Sequence, residues 1–243
     1  MNPSRTALVT GAAGGIGGAI ARRFHADGYR VIAADLSAER LTSLAESVPG
    51  IETVVADLST IEGVESAVAV AGDVDVLCNS AGVSDGGASI EELGDEVWER
   101  TIRINLSSVY LACNRVTPGM LERGHGVIVN ISSVAGLRGG RAGAAYTATK
   151  WGIVGLSQNI AASLGPDGVR CHAICPSRIE GAVAMTAGVT RTPRGKFRAE
   201  RDHGRPAPGK PGDVAEVASF LVSDAAHHLN GLAIPADGGW LAF

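Results

Sequence analysis

Tyr146 and Lys150 are the two residues of this 243-residue chain whose types and spacing best suit proton transfer. They stand four positions apart, and in a helix this spacing places the phenol and the ammonium one turn apart on the same face. Ionising a tyrosine at about pH 7 takes roughly 4 kcal/mol, which an ammonium about 4 Å away in an effective dielectric of about 20 can supply. The chain holds only three tyrosines and three lysines, so a chance pair at this spacing has a frequency of roughly 4%. The pair predicts a general acid/base site.

Ser132 and Ser133 follow the strand-like run Val127–Ile131 and precede a glycine-containing turn. Ligands of open α/β sheets bind beyond the carboxyl ends of the strands, so a hydroxyl here can hold a substrate oxygen while charge develops on it. The alternative is a serine that caps or turns the local backbone, which is the commoner role of serine at a strand exit.

A glycine-rich turn, Thr10-Gly11-Ala12-Ala13-Gly14-Gly15-Ile16-Gly17, links the first strand-like run to an Ala/Ile-rich helical pattern. Gly11, Gly15 and Gly17 let the chain turn sharply and bring backbone N–H groups against a pyrophosphate. The spacing GxxxGxG differs from the GxGxxG dinucleotide fingerprint, and a plain strand-to-helix turn is the alternative.

Asp35 closes the second strand-like run, where a carboxylate can bind the ribose hydroxyls of an adenosine. The alternative is an N-cap for a helix that starts near Ser37. A phosphate held within about 4 Å of this carboxylate would cost on the order of 4 kcal/mol, and Gly14 offers it no cation. The sequence therefore favours NAD over NADP.

Short apolar or β-branched runs alternate with helix-length segments along the chain. Such alternation predicts an α/β fold, with a parallel sheet of about seven strands, helices on both faces, and one domain over residues 1–243. The strand-like runs are Thr6–Thr10, Arg30–Ala34, Glu52–Ala56, Val74–Cys78, Val127–Ile131, Val169–Cys175 and Leu232–Ala236.

Composition argues against several other classes of protein. The formal net charge of −4 disfavours nucleic acid and anionic membranes as partners, so a small molecule is expected. No apolar run reaches the roughly 18 residues of a membrane span and no signal segment precedes the first strand, which predicts a cytoplasmic protein. The four cysteines have no metal-binding spacing and are expected to be buried thiols, so no metal site is predicted.

Taken together, these residues resemble the compact, single-domain type of the short-chain dehydrogenase/reductase family, over essentially the whole chain. The resemblance rests also on Asp57-Leu58, Asn79-Ser-Ala-Gly82, Ile104-Asn105, Pro176 and Asp237-Gly238-Gly239, in that order and spacing. It implies a doubly wound, Rossmann-like domain. It also implies an oxidoreductase that moves a hydride between NAD(H) and a secondary alcohol or ketone.

By this resemblance, Ser133, Tyr146 and Lys150 form a catalytic triad, and Asn105 positions a proton-relay water as the fourth member. The residues alone would make Asn105 a polar position on an amphipathic helix.

The resemblance also assigns contacts with the cofactor. Asp57 and Leu58 are expected to hold the adenine, Asn79 to contact ribose, and Ile179 to lie against the nicotinamide. The expected cofactor-binding residues are Gly11, Gly15, Ile16, Gly17, Asp35, Leu36, Asp57, Leu58, Asn79, Ala81, Gly82, Tyr146, Lys150, Pro176 and Ile179.

Three positions depart from the family pattern. Ser80 stands where a second asparagine is usual, and Ser177 replaces the glycine that usually follows Pro176. Gly181 stands where a threonine normally binds the carboxamide of the cofactor, a role for which Thr186 is the candidate replacement.

The segment 176–210 lacks apolar periodicity, which predicts a loop, and the resemblance implies a mobile lid over the substrate. Together with segments 84–89 and 134–143, it is expected to wall the substrate pocket. Arg191, Arg194, Lys196, Arg198, Arg201 and Arg205 outnumber Glu200 and Asp202 by four. This excess suggests a substrate that is anionic or carries an anionic handle, and the alternative is a solvated loop whose charges maintain solubility.

Two other functions stay open at this point. One is a 3-oxoacyl-carrier-protein reductase that uses NADPH, which Asp35 disfavours. The other is a catalytically idle dinucleotide-binding sensor, which the intact triad disfavours. The resemblance further implies a homotetramer. Gly152, Gly155 and Ala161, which follow Lys150, would permit close packing against a partner or against the chain's own sheet.

Overall fold

The computed structural model describes residues 5–181, 192–200 and 204–242. Within these residues the strands are β1 Thr6–Thr10, β2 Arg30–Asp35, β3 Glu52–Val55, β4 Val76–Asn79, β5 Gly126–Ile131, β6 Val169–Pro176 and β7 Ala233–Ala236. They form one sheet of seven strands in the order β3-β2-β1-β4-β5-β6-β7, and every neighbouring pair is parallel.

The strand order reverses between β1 and β4. The chain first builds outward from β1 to β3 and then returns to place β4 on the other side of β1. At such a reversal the connections leave the sheet in opposite directions, so a crevice opens beyond the carboxyl ends of the two strands. The turn at Gly11 and the segment after Asn79 therefore border the same crevice.

Helices cover both faces of the sheet because alternate strand residues point to opposite sides. The helices of the described chain are α1 Gly15–Ala26, α2 Ala38–Ser47, α3 Ile61–Ala71, α4 Asp95–Ile102, α5 Ser108–Arg123, α6 Ala144–Leu164, α7 Pro193–Glu200 and α8 Pro211–Val222. Helices α1, α2 and α8 pack on the face that carries Val9 and Val31. Helices α3, α5 and α6 pack on the face that carries Leu8 and Ile32.

The predicted fold class is confirmed. Each predicted strand-like run coincides with a strand to within two residues at either end. Continuous apolar runs are typical of strands that are buried on both faces, which explains this agreement. No helix in the described part of the chain is long and apolar enough to cross a membrane.

One helix, α7, lies inside the segment that was predicted to be a loop. Its start is capped by Thr192, whose hydroxyl accepts a hydrogen bond from the Gly195 N–H at 3.1 Å. Pro193 follows at the first helical position, where its fixed φ and missing N–H cost nothing. The Thr-Pro pair was therefore a helix signal that apolar periodicity alone does not capture.

Candidate active site

A cleft of about 920 Å³ lies at the carboxyl ends of the strands, over the strand-order reversal. Its walls come from the turn after β1, the ends of β2 and β6, and the segments that follow β3, β4 and β5. Most of the predicted site residues line this cleft: Gly11, Gly15, Ile16, Gly17, Asp35, Leu36, Asp57, Leu58, Ala81, Gly82, Ser133, Tyr146, Lys150, Pro176 and Ile179.

The glycine turn fits a phosphate group on two counts. Gly11 has a φ of +66°, and a Cβ there would lie 2.6 Å from the Ala81 nitrogen, so only glycine lets β1 and the β4 segment approach this closely. Helix α1 then begins at Gly15, and no side chain caps its first turn. The first N–H groups of α1 are therefore available to an anion in the cleft.

Asp35, which the sequence predicts to bind adenosine ribose, lies in the cleft wall at the end of β2. Its carboxylate accepts hydrogen bonds from the Ala13 N–H and the Ser37 N–H, each at 3.0 Å. The N-cap of α2 is Ser37, whose hydroxyl accepts from the Arg40 N–H, so Asp35 does not have the alternative capping role. The carboxylate is thus fixed at the cleft wall by backbone donors.

Arg40 also lines the cleft at this end, and the sequence reasoning did not include it. It lies on the first turn of α2, only five positions after Asp35, which was the available signal. The cleft wall near Asp35 therefore carries one cation beside the anion, although Gly14 provides none.

Asp57 and Leu58, which the resemblance assigns to the adenine, line the cleft from the segment after β3. Leu58 is buried, and the Asp57 carboxylate accepts from the Ser59 N–H at 2.9 Å, which holds the turn that follows β3. Ala81 and Gly82 line the same cleft from the segment after β4.

Asn79 lies in a different position from the one expected of a ribose contact. Its side chain is buried, and its Nδ2 donates to the Oδ1 of Asn130 at 2.9 Å. The two asparagines are register partners on β4 and β5, so their amides meet inside the sheet. The side chain is committed to that pair and is not part of the cleft wall.

Ser133, Tyr146 and Lys150 converge on the cleft from two elements, the end of β5 and the start of α6. The Nζ of Lys150 lies 5.4 Å from the centre of the Tyr146 ring and donates to the carbonyl oxygen of Ile131 at 2.8 Å. The Ser133 hydroxyl hydrogen-bonds with the Tyr146 phenol. All three groups therefore face the same point in the cleft.

Burial, rather than the neighbouring ammonium, dominates the titration of this pair. Desolvation raises the pKa of Tyr146 to about 12, which the hydrogen bond with Ser133 opposes and the Asp85 carboxylate reinforces. Desolvation lowers the pKa of Lys150 to about 8. The sequence reasoning placed the ammonium about 4 Å from the phenol and expected a lowered phenol pKa. Burial explains the difference, because desolvation disfavours the ionised phenol.

Asn105 is fully buried in a π-helical turn, Arg103–Ser107, between α4 and α5. Its Oδ1 accepts from the Val83 N–H at 2.7 Å, and its Nδ2 donates to the Val83 carbonyl at 2.9 Å. A Cβ on Gly82 would lie 3.5 Å from the Asn105 Oδ1 and 3.7 Å from the Lys150 Nζ. Asn105 therefore fixes the segment beside Lys150. It is not a solvated position on an amphipathic helix.

Pro176, Ser177 and Ile179 border the cleft at the end of β6, where the resemblance places the nicotinamide. The Ser177 N–H donates to the Ala236 carbonyl at 3.2 Å, and Ile179 pairs with Gly209 in an isolated parallel bridge. Gly181 has a φ of +64°. Thr186 lies outside the described residues.

In the cationic segment, residues 191–205, described side chains already contact other side chains. Arg194 pairs with Glu91 at 3.2 Å, and the Arg205 guanidinium stacks on the Trp240 ring at 4.8 Å. The Arg141 guanidinium also lies over the Trp240 ring, 4.0 Å from its centre. Arg191, Arg201 and the Arg198 side chain lie outside the described residues.

The small residues proposed for contacts with a partner mostly face the chain itself. A Cβ on Gly152 would lie 3.0 Å from Leu106, and Ala161 is buried in the core under α6. Only Gly155 has open space beside it. Among the described residues, no group of three His, Cys, Asp or Glu side chains is arranged to hold a metal ion.

Known proteins are similar to this chain over most of its length. The family model described as short chain dehydrogenase matches residues 5–192. The chain is 38% identical to 3beta-hydroxysteroid dehydrogenase 2 of Eggerthella lenta, over 98% of this chain and 95% of that protein. It is 40% identical to D-threitol dehydrogenase of Mycolicibacterium smegmatis, over 97% of this chain and 92% of that protein.

Among solved structures, a variant of actinorhodin polyketide ketoreductase with NADPH superposes with a TM-score of 0.85 at 31% identity. The match covers the whole of this chain, at 100%, and 99% of that one. These three relatives are named for a steroid, a small polyol and a polyketide, so similarity alone does not indicate one substrate.

Proposed function

Since the chain belongs to the short-chain dehydrogenase family and is therefore an oxidoreductase with a nicotinamide cofactor, we propose that it transfers a hydride between NAD(H) and a secondary alcohol or ketone. The observation that carries this proposal is the meeting of Ser133, Tyr146 and Lys150 in the cleft that begins at the glycine turn. Proton donors and a phosphate-binding helix end thus share one cavity.

The residues that would hold the dinucleotide follow the cleft from end to end. The first turn of α1 receives the pyrophosphate, and Asp35 accepts from the adenosine ribose. Leu58 provides an apolar wall for the adenine, and Ile179 one for the nicotinamide. The bound nicotinamide supplies the hydride acceptor for oxidation and the hydride donor for reduction.

Tyr146 moves the proton. In the oxidation direction its phenolate accepts the proton of the substrate hydroxyl, and in reduction its hydroxyl returns that proton to the carbonyl oxygen. Ser133, which hydrogen-bonds with the phenol, donates to the same substrate oxygen as charge develops there. Lys150 holds positive charge beside the phenol and offers N–H donors to the ribose.

Preference for NAD is part of the proposal. The fixed Asp35 carboxylate accepts from ribose hydroxyls and would repel a 2′-phosphate at the same place. Arg40 is the specific observation that favours the second candidate, a 3-oxoacyl-carrier-protein reductase that uses NADPH, because this cationic residue lines the same cleft as Asp35. We place NAD first because the carboxylate is held against the glycine turn by the Ala13 N–H.

The test is a panel of secondary alcohols and ketones, including steroids, polyols, diols and an acyl-carrier-protein thioester. Each is assayed by the absorbance of the reduced cofactor, with NAD(H) and with NADP(H). Turnover with NAD and a secondary alcohol supports the proposal. Turnover confined to NADPH and the thioester would favour the second candidate. Tight binding of NAD without turnover on any substrate would identify an idle dinucleotide-binding protein.

A further inference from the structure

Asp85 is a buried carboxylate that the proposed acid/base set does not use. It lies in the loop after β4 and is only 1% exposed. Its Oδ1 accepts from the Gly87 N–H at 3.0 Å, and its Oδ2 accepts from the Tyr146 N–H at 2.9 Å. The second bond joins this loop directly to the backbone of the proposed proton donor.

The position of that bond in α6 defines what the carboxylate does. Helix α6 begins after Gly143, which has no side chain to cap it, and Tyr146 is the third residue of the helix. An N-cap side chain normally accepts from the second or third N–H of a helix. Asp85 therefore caps α6 from outside the helix, and its negative charge lies at the positive end of the helix dipole.

A second observation on the Asp85 carboxylate is the space that Gly143 leaves beside it. The Gly143 φ of −74° is one that any residue adopts, so backbone conformation does not require glycine there. A Cβ at this position would instead lie 2.6 Å from the carboxyl carbon of Asp85. The glycine thus leaves the space that the carboxylate occupies.

The loop is held in place by further backbone bonds. The Ala144 N–H donates to the Ala88 carbonyl at 2.8 Å. The loop is therefore joined to the start of α6 by a backbone bond as well as by the carboxylate. The Thr192 N–H donates to the Gly86 carbonyl at 3.2 Å, which joins the same loop to the start of α7. The Asp85 carboxylate therefore cannot leave the helix end without breaking several contacts.

We propose that Asp85 is a positioning residue for the proton-transfer step, which caps the first turn of α6 to fix the phenol of Tyr146 and places a buried negative charge beside that residue. The proposal rests on the proposed role of Tyr146 as the proton-transfer group.

Three polar groups of the described chain surround Tyr146. The Ser133 hydroxyl acts on the phenol from the end of β5. The Lys150 Nζ lies 5.4 Å from the ring centre on the next turn of α6, and the Asp85 carboxylate contacts the Tyr146 N–H from the loop after β4. After burial and the opposing hydrogen bond with Ser133, the Asp85 charge is what further raises the pKa of the phenol. A nearby like charge always disfavours the ionised form of an acid.

The experiment measures the ionisation of Tyr146 in the ligand-free protein. Tyrosine labelled with ¹³C at Cζ gives an NMR signal for each of the three tyrosines, and Tyr146→Phe identifies the one of interest. We expect Asp85→Asn to lower the titration midpoint of Tyr146 by on the order of one pH unit. Circular dichroism defines the pH range in which each variant stays folded.

Asp237→Asn is the matched control. The Asp237 carboxylate is also buried and also accepts from two backbone N–H groups, those of Gly239 at 2.9 Å and Leu241 at 2.8 Å. At either site the single carbonyl oxygen of an asparagine can accept from only one of the two N–H donors. Both substitutions therefore lose a similar hydrogen bond. Only Asp85→Asn is expected to move the Tyr146 midpoint.

Equal titration curves for wild type and Asp85→Asn, including two curves that stay flat across the folded range, would overturn the proposal. So would an equal shift in Asp237→Asn. Should Asp85→Asn not fold, Asp85→Ser removes the same charge and is measured in its place. No substrate or cofactor is present, so failure of the dehydrogenase assay leaves this titration unaffected, and the two proposals fail separately.

Discussion

The ammonium of Lys150 donates a hydrogen bond to the carbonyl oxygen of Ile131, 2.8 Å away. Ile131 is the last residue of β5, and Ser133 follows two positions later, so this bond ties α6 to the strand end that carries the serine. Lys150 is itself buried, and its charge therefore has a large desolvation cost that a single carbonyl only partly offsets.

This burial predicts a pH dependence of stability. Burial lowers the pKa of Lys150 from 10.5 to about 8, so between these values the folded protein binds fewer protons than the unfolded chain. The contribution of Lys150 to the free energy of unfolding should then rise with pH across that window and fall as pH drops through about 8. Tyr146 and the four buried cysteines act in the opposite sense, because burial raises the pKa of each of these groups. The contribution of Lys150 is therefore obtained as the difference in unfolding free energy between the wild type and Lys150→Met.

Urea unfolding at several pH values between 8 and 10 checks this prediction. The unfolding free energy of the wild type minus that of Lys150→Met should rise with pH. Lys196→Met, at an exposed lysine of α7, is the control, and its difference from the wild type should stay constant with pH. A difference between the wild type and Lys150→Met that is flat or falling across this window would contradict the placement of Lys150.

Tyr146→Phe should reduce kcat by about 10²-fold or more, the usual loss when a general acid/base is removed. The substitution keeps the ring and the buried volume, so the dissociation constant for NAD, measured by fluorescence or calorimetry, should change little. Tyr110→Phe, at a tyrosine of α5 that is 52% exposed, is the matched control and should leave both quantities unchanged. Near-normal turnover in Tyr146→Phe would show that another group moves the proton.

The strands and the proximity of Tyr146 to Lys150 could be predicted from the sequence because both are local signals. A buried strand is an apolar run, and Tyr146 and Lys150 are joined by one turn of α6. Other features depend on contacts that are remote in sequence. Asn79 points away from the cleft because the β4–β5 register places it opposite Asn130. Asp85 lies against Tyr146 although 61 positions separate them.

The electrostatics of the site could not be predicted for a related reason. The spacing of Tyr146 and Lys150 predicts proximity, but the pKa of each group depends on how much water the surrounding elements exclude. Arg40 shows the same limit, since an exposed helix position and a cleft wall look alike in sequence. Only the packing of α2 beside the glycine turn makes it a cleft residue.

Cofactor preference separates the contributions of Asp35 and Arg40. We expect wild-type kcat/KM to favour NAD over NADP by about tenfold or more, because Asp35 accepts from ribose and repels phosphate. Asp35→Ala should lower kcat/KM with NAD and raise it with NADP, since the repulsion by the carboxylate is removed while Arg40 still lines the cleft. The double variant Asp35→Ala/Arg40→Ala should lose the gain with NADP. Equal use of both cofactors by the wild type would refute the role of Asp35.

A homo-oligomer, with a tetramer as the expected form, is the prediction for solution. Tyr110 on α5 and Trp151 on α6 are exposed by 52% and 49%, which is unusual for aromatic side chains on two helices. Sedimentation velocity at micromolar concentration should show a species larger than a monomer, and Trp151→Glu should shift the distribution toward smaller species. A wild-type monomer under these conditions would contradict the prediction.

The last prediction concerns the charge of the substrate. If the cationic segment captures an anionic group, KM for an anionic substrate should rise with salt while kcat changes little, because salt screens exposed charges. 3-Hydroxybutyrate and 2-butanol form a suitable pair, since both have four carbons and only the first carries a carboxylate. Arg194→Gln with Arg198→Gln should reproduce the effect of high salt on the first substrate alone. Arg115→Gln, which removes an exposed arginine paired with Glu65 at 2.9 Å, is the control and should have no effect. The pairing of Arg194 with Glu91 already reduces the charge that an incoming anion meets, so we expect a rise in KM of only several-fold. A good uncharged substrate with a KM independent of salt would instead show that these arginines only keep the segment solvated.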